Sequence, residues 1–126
     1  MMMNSKPDVS SFEAIESQMV SWLEEILGDS TEFMLPELAT MYLEDAPPLL
    51  QKMSDAANNK DNIKLKNSAH TLKGSSSSMG LHTFSNLCHK AESAAKRNEF
   101  EGMNNLILHA QAELRQIEKV LQRYAE

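Results

Sequence analysis

The chain has a single cysteine, Cys88, among 126 residues, which excludes an internal disulfide and any multi-cysteine metal site. Nothing argues for an oxidising compartment, so the cytoplasm is the default location. No apolar run is long enough to span a bilayer, and Met1-Met2-Met3-Asn4-Ser5-Lys6-Pro7 lacks the apolar centre of a signal peptide. Residues 1–10 are expected to be a disordered tail, and residues 11–126 one domain large enough to bury a core without staples. Basic residues are missing from one whole region. From Pro7 to Gln51 there are ten acidic residues and no lysine or arginine, whereas Lys52 to Glu126 holds eight acidic and eleven basic ones. With a net charge of −6, few aromatics and no basic face, nucleic acid is a poor expected partner. The local basic patch of Lys60, Lys64, Lys66 and Lys73 around His70 suits a small anion or an acidic protein surface better.

Strand-like alternation is absent too, and every periodic segment has helical period. The first helix is expected over Phe12 to Leu27, with Phe12, Ile15, Met19, Leu23, Ile26 and Leu27 as its apolar stripe and Gly28 as its stop. Asp29 and Glu32 resemble a capping pair opening a second helix, which carries Phe33, Leu38, Met41 and Tyr42 to about Asp45. Pro36 is expected to kink that helix or move its start to near Leu35. Pro47-Pro48 should turn the chain near Ala46 or open a fresh helical turn through Leu49, Leu50 and Met53. Asp61 can cap the helix carrying Ile63, Leu65, Ala69 and Leu72. A helix after Gly80 presents Leu81, Phe84, Leu87, Cys88, Ala91 and Ala95 on one side. The last, about Glu99 to Tyr124, buries Phe100, Met103, Leu106, Ile107, Ala110, Leu114, Ile117 and Leu121. Short connections favour antiparallel neighbours, so the expected fold is all-α: an up-down antiparallel four-helix bundle with additional N-terminal helical segments.

Several chemistries lack their residues. The acidic side chains read as solvated helix faces rather than catalytic pairs. There is no Gly-x-Ser-x-Gly elbow and no Walker-type glycine loop. His82 and His89, seven residues apart, have no carboxylate or cysteine between them and make a poor metal site. His109 is expected at the margin of the core. The nine methionines read as core filling. No metal and no cofactor is expected.

His70 stands apart. In Ala69-His70-Thr71-Leu72-Lys73-Gly74-Ser75-Ser76-Ser77-Ser78-Met79-Gly80, the serine run could be a flexible linker. Read as a helix, Leu65, Ala69, Leu72, Ser76 and Met79 share one side and His70, Lys73, Gly74 and Ser77 the other. Lys66 and Lys73 would then offer two positive charges to an anion on the imidazole. Gly74, costing about 1 kcal/mol in mid-helix, leaves room for another molecule. Ser76 and Ser78 would permit close packing beneath the histidine.

The run Ala69 to Ser76, followed by Gly80-Leu81, closely resembles the signature of histidine-containing phosphotransfer domains. Tyr42-Leu43-Glu44-Asp45-Ala46-Pro47 and Leu87-Cys88-His89-Lys90-Ala91-Glu92 resemble that family's preceding and following helices. The likeness extends from about Trp22 to Tyr124. It implies a phosphocarrier of a two-component phosphorelay, not an enzyme with its own substrate, in which His70 accepts a phosphoryl group. Lys73 would help neutralise that group, and Gly74 would let a partner's active site approach. The implied partners are receiver domains of response regulators or hybrid histidine kinases, which supply the acids and Mg²⁺. Receiver docking is expected to involve Gly74, Lys66, Ser77, Trp22 and Ile26, with the protein a monomer bound to no membrane. The alternatives are a receiver- or kinase-binding adaptor that carries no phosphate, and a module cut from a larger kinase. The short start, and termination soon after the last helix, fit a free protein better.

Overall fold

The computed structural model describes residues 8–126; the expectation for residues 1–7 of the tail lies outside them. Asp8 to Ser10 are non-helical and lie against the last helix, where the Ser10 N–H donates to Glu113 Oε1 (2.9 Å) and the Asp8 carbonyl meets His109 Nε2 (3.0 Å). Five α-helices follow: α1 Phe12–Leu27, α2 Thr31–Asn58, α3 Asn62–Ser78, α4 His82–Lys96 and α5 Met103–Leu121. Helices α2 to α5 form the antiparallel bundle, each packed on two neighbours, and α1 lies against α5 and α2.

α1 starts where expected, with the Ser11 hydroxyl accepting from the Ala14 N–H. Its buried residues are Ile15, Met19 and Leu23, while Ile26 faces solvent instead of extending the stripe. The Asp29–Glu32 capping pair does not form. Gly28–Ser30 make a 3-10 turn, and the Thr31 hydroxyl closes it by donating to the Gly28 carbonyl at 2.8 Å.

The largest departure is α2, one helix of 28 residues running straight through Pro36, Pro47 and Pro48. Its apolar stripe explains why. Leu35, Ala39, Tyr42, Ala46, Leu50, Met53 and Ala57 keep helical spacing across all three prolines, and every one is buried. A break near Ala46 would pull half of that stripe out of the core. The carbonyls freed by Pro47 and Pro48 belong to Leu43 and Glu44, which lie half-buried and at the surface. Phe33 and Met41 sit off this stripe and are exposed, as is Ile63 on α3.

α3 opens with Asp61 accepting from the Lys64 N–H, as its sequence implies. It continues to Ser78, so the serine run is helix and not linker. Ser76 is fully buried, and its hydroxyl lies 2.7 Å from the Tyr42 hydroxyl, tying α3 to α2. Ser78 does not pack beneath the histidine as expected. It is exposed and donates back to the Gly74 carbonyl at 2.9 Å. α5 is shorter than expected at both ends, and Phe100 and Leu106 are half-buried rather than buried.

Candidate functional site

Burial of Leu65, Ala69, Leu72 and Ser76 along one side of α3 turns His70 and Gly74 to solvent and leaves Ser77 half-buried beside them. The His70 side chain is 67% exposed, yet its ring is held: Nδ1 lies 2.8 Å from Glu92 Oε2. Glu92 belongs to α4, and its side chain is only 4% exposed. Its second oxygen, Oε1, accepts from Lys73 Nζ at 2.7 Å. Two further nitrogens stand outside, Lys96 Nζ at 3.7 Å from Oε2 and His89 Nδ1 at 3.9 Å from Oε1. α4 is held in register with α3 by Ser85, whose hydroxyl donates to the Lys73 carbonyl at 3.0 Å.

Burial alone would push the Glu92 carboxyl up. Donation from Lys73 and His70, with their charges, outweighs that and holds it below the ordinary glutamate range. Glu92 is therefore ionised at neutral pH. An ionised carboxylate only accepts, so in the neutral imidazole Nδ1 carries the proton and donates it. Nε2, on the opposite edge of an exposed ring, keeps its lone pair. The arrangement prepares an outward-facing nucleophile.

Gly74 is one helical turn beyond His70. A Cβ built there meets nothing within 4 Å, so no internal packing requires a glycine. Gly80 is different, with φ at +76° and a Cβ position only 2.5 Å from the Trp22 Cβ. Trp22 is thus seated on the turn between α3 and α4, where it also meets His82 edge-on with ring centroids 4.8 Å apart. That turn is ten residues from His70, or about 15 Å along the helix. Trp22 therefore does not join the His70 cluster, whereas Lys73 does. Lys66 lies half-buried one turn before His70. Among the described residues no group of three or more histidine, cysteine or acidic side chains could hold a metal ion. A cleft of about 740 Å³ lies elsewhere, between α1, the start of α2 and Arg123-Tyr124.

Glu92 corrects the expectation that acidic residues occupy only solvated faces, and Glu113 on α5 is buried as well. Its signal was present in the sequence. Glu92 falls at i+4 from Cys88 and i+7 from Ser85, within the stripe that also holds Phe84, Leu87, Ala91 and Ala95. A carboxylate on an apolar face demands a partner.

This cluster stands in a segment that a family model recognises: residues 37–124 match the Hpt domain. The chain belongs to the Hpt domain family. A histidine phosphotransfer role in phosphorelays comes with that membership. Over 56 residues the chain is 39% identical to the sensor protein TorS of Escherichia coli (strain K12), a stretch covering 44% of this chain and 6% of TorS. The chain thus spans a small fraction of that relative. Its fold matches the crystal structure of histidine-containing phosphotransfer protein B (HptB) from Pseudomonas aeruginosa PAO1 with a TM-score of 0.67 at 24% identity. The match covers 83% of this chain and 88% of HptB. No helix among the described residues of this Hpt domain is long and apolar enough to cross a membrane.

Proposed function

We propose that this Hpt domain carries phosphate on His70, receiving it from an aspartyl phosphate on one receiver domain and passing it to another. The supporting observation is the pairing of an exposed imidazole with a buried, ionised carboxylate through Nδ1. The Nε2 lone pair attacks phosphorus, the P–O bond to the aspartyl group breaks, and that carboxylate leaves. The ring then bears an N–P bond at Nε2, a proton at Nδ1 and a positive charge, which Glu92 offsets. Return transfer reverses these steps on a second aspartate. Phosphoryl transfer needs mainly alignment and charge stabilisation, so the carrier can leave the acids and Mg²⁺ to its partner.

Lys73, anchored on Glu92, stands one turn from His70 and can turn part of its charge toward the phosphoryl group. Lys66 adds a second positive charge from the preceding turn. The bare surface at Gly74, with Ser77 beside it, admits the receiver's active-site loops. Trp22 and Ile26 would lie at the far margin of such an interface. The partners are receivers of response regulators or hybrid kinases, met by a monomer of this domain, residues 11–126, in the cytoplasm.

The test is incubation with a phosphorylated receiver and Mg²⁺. The chain should acquire an acid-labile, base-stable label. Retention of that label in His70→Gln would overturn the assignment of His70.

A further inference from the structure

Hydroxyl donors crowd onto the backbone carbonyls of α3 around His70. Thr71 donates to the Asn67 carbonyl, Ser75 to those of Thr71 and Leu72, and Ser78 to that of Gly74. These bonds turn α3's own hydroxyls back onto their helix. The Lys73 carbonyl, in the middle of this run, is reached from outside. Its hydroxyl donor is Ser85 of α4, at 3.0 Å. Among the described residues, the side-chain hydrogen bonds that join α3 to α4 come from Ser85, Glu92 and their partners alone.

Lys73 is therefore gripped twice by α4. Its carbonyl is held by Ser85, and its ammonium by Glu92 Oε1 at 2.7 Å. Ser85 and Glu92 stand two turns apart on one face of α4, about 10 Å along its axis. Ser85 is buried, where a hydroxyl needs a partner. If α4 slid along α3 by a fraction of a turn, the long, flexible lysine stem could follow Glu92. The short histidine side chain has no such reach. Nδ1 of His70 would lose Oε2 while Lys73 kept Oε1.

We propose that Ser85 is a positioning residue for phosphoryl transfer. Its grip on the Lys73 carbonyl fixes how the one Glu92 carboxylate is shared between Lys73 and His70. It thereby keeps the proton on Nδ1 and the lone pair on Nε2. Ser85 acts through Glu92 and not on the imidazole itself. This role rests on the phosphotransfer reading above, and it extends the site to a buried hydroxyl two turns away from the carboxylate.

Ser85→Ala removes the hydroxyl and Ser85→Thr keeps it. The better helix propensity of alanine offsets much of the lost hydrogen bond, so the melting temperature of Ser85→Ala should stay close to that of the wild type. Nitrogen-15 shifts of the His70 ring, recorded where the imidazole is neutral, should place the proton on Nδ1 in the wild type and in Ser85→Thr. In Ser85→Ala they should show it divided between Nδ1 and Nε2. Single-turnover transfer from a saturating phosphorylated receiver should slow about threefold in Ser85→Ala. The half-saturating receiver concentration should stay within about twofold of the wild type, because a buried hydroxyl makes no contact with the partner. In a Glu92→Ala background, Ser85→Ala should bring no further slowing, since the carboxylate it positions is gone. Wild-type ring shifts in Ser85→Ala would overturn the positioning role, as would a slowing that persists without Glu92. Failure of the phosphotransfer reading looks different: wild-type His70 takes no label from any receiver even with its proton on Nδ1, and the role in transfer falls with it.

Discussion

The imidazole of His70 and the carboxylate of Glu92 act as one unit, with Nδ1 2.8 Å from Oε2 across the α3–α4 interface. Without that contact an exposed ring would turn freely and share its proton between two nitrogens. Glu92→Gln keeps an acceptor but replaces a charge with a dipole, which weakens the hydrogen bond by about 1 kcal/mol. Transfer through His70 should then slow by roughly fivefold, since 1.36 kcal/mol is tenfold in rate. Glu92→Ala should slow it further, because the acceptor is lost altogether. Rapid-quench transfer from a phosphorylated receiver measures both. Wild-type rates in the alanine variant would show that the ring needs no such positioning.

The same carboxylate makes stability depend on acid. Its folded-state pKa lies below the unfolded value, held there by Lys73 and His70 against the cost of burial. A depressed carboxyl contributes fully above its unfolded pKa, about 4.3, and the contribution fades as pH falls through the folded value. His70 and Lys73 face Glu92 from α3, and His89 and Lys96 from α4. Urea titrations from pH 7 down to pH 2 should therefore show a loss on the acid side that is smaller in Glu92→Gln. Parallel curves would mean that these contacts are not made in solution.

What the sequence made legible, and what it hid, divides along one physical line. Period located α1 between Phe12 and Gly28, and Asp61 and the turn at Gly80 mark the starts of α3 and α4 locally, whereas period alone left open whether α3 ran on through the serines. The Lys-Gly pair after His70 likewise singles out α3 by residue type and spacing alone. Hidden features were those decided by tertiary contacts. Pro47 and Pro48 carry a strong local instruction to break the helix, yet burial of Ala46, Leu50 and Met53 outweighs it. Glu92 stands out in the sequence as an acid on the apolar side of α4, but which groups pair with it shows only when α3 is laid across α4 and His70 and Lys73 come within reach. Local propensity misled at the helix ends as well, where Asp29 and Glu32 looked like a cap but a 3-10 turn forms instead.

Gly74 should separate stability from function. Its helical backbone is ordinary and the space around a new Cβ is empty. Gly74→Ala should accordingly stabilise the fold by about 0.5–1 kcal/mol, the usual helical cost of glycine. Under the proposed docking, transfer from receivers should nevertheless fall, because the added methyl would occupy surface left open for the partner's approach. Thermal melting and transfer assays on the same preparation would read the two effects in opposite directions. A destabilised alanine variant would contradict the open space seen at this turn.

Gly80 should behave in the reverse manner, because its constraint is internal. The residue has φ at +76°, and a Cβ there would stand 2.5 Å from the Trp22 Cβ and 2.8 Å from its Cγ. An L-residue in this left-handed region costs about 1–2 kcal/mol, and displacing a packed indole adds about 1–3 kcal/mol. Gly80→Ala should destabilise the protein by about 2–5 kcal/mol in all, read from urea unfolding. Trp22, the chain's one tryptophan, reports its own displacement by fluorescence. In a Trp22→Gly background, which removes the Cβ and Cγ together, the same substitution should cost only the backbone part, about 1–2 kcal/mol. Because this turn sets where α4 begins, and Glu92 lies on α4, Gly80→Ala should also slow transfer through His70 in the fraction that remains folded. Equal costs in both backgrounds would show that the indole is not seated on the turn, and that α4 takes its register from other contacts.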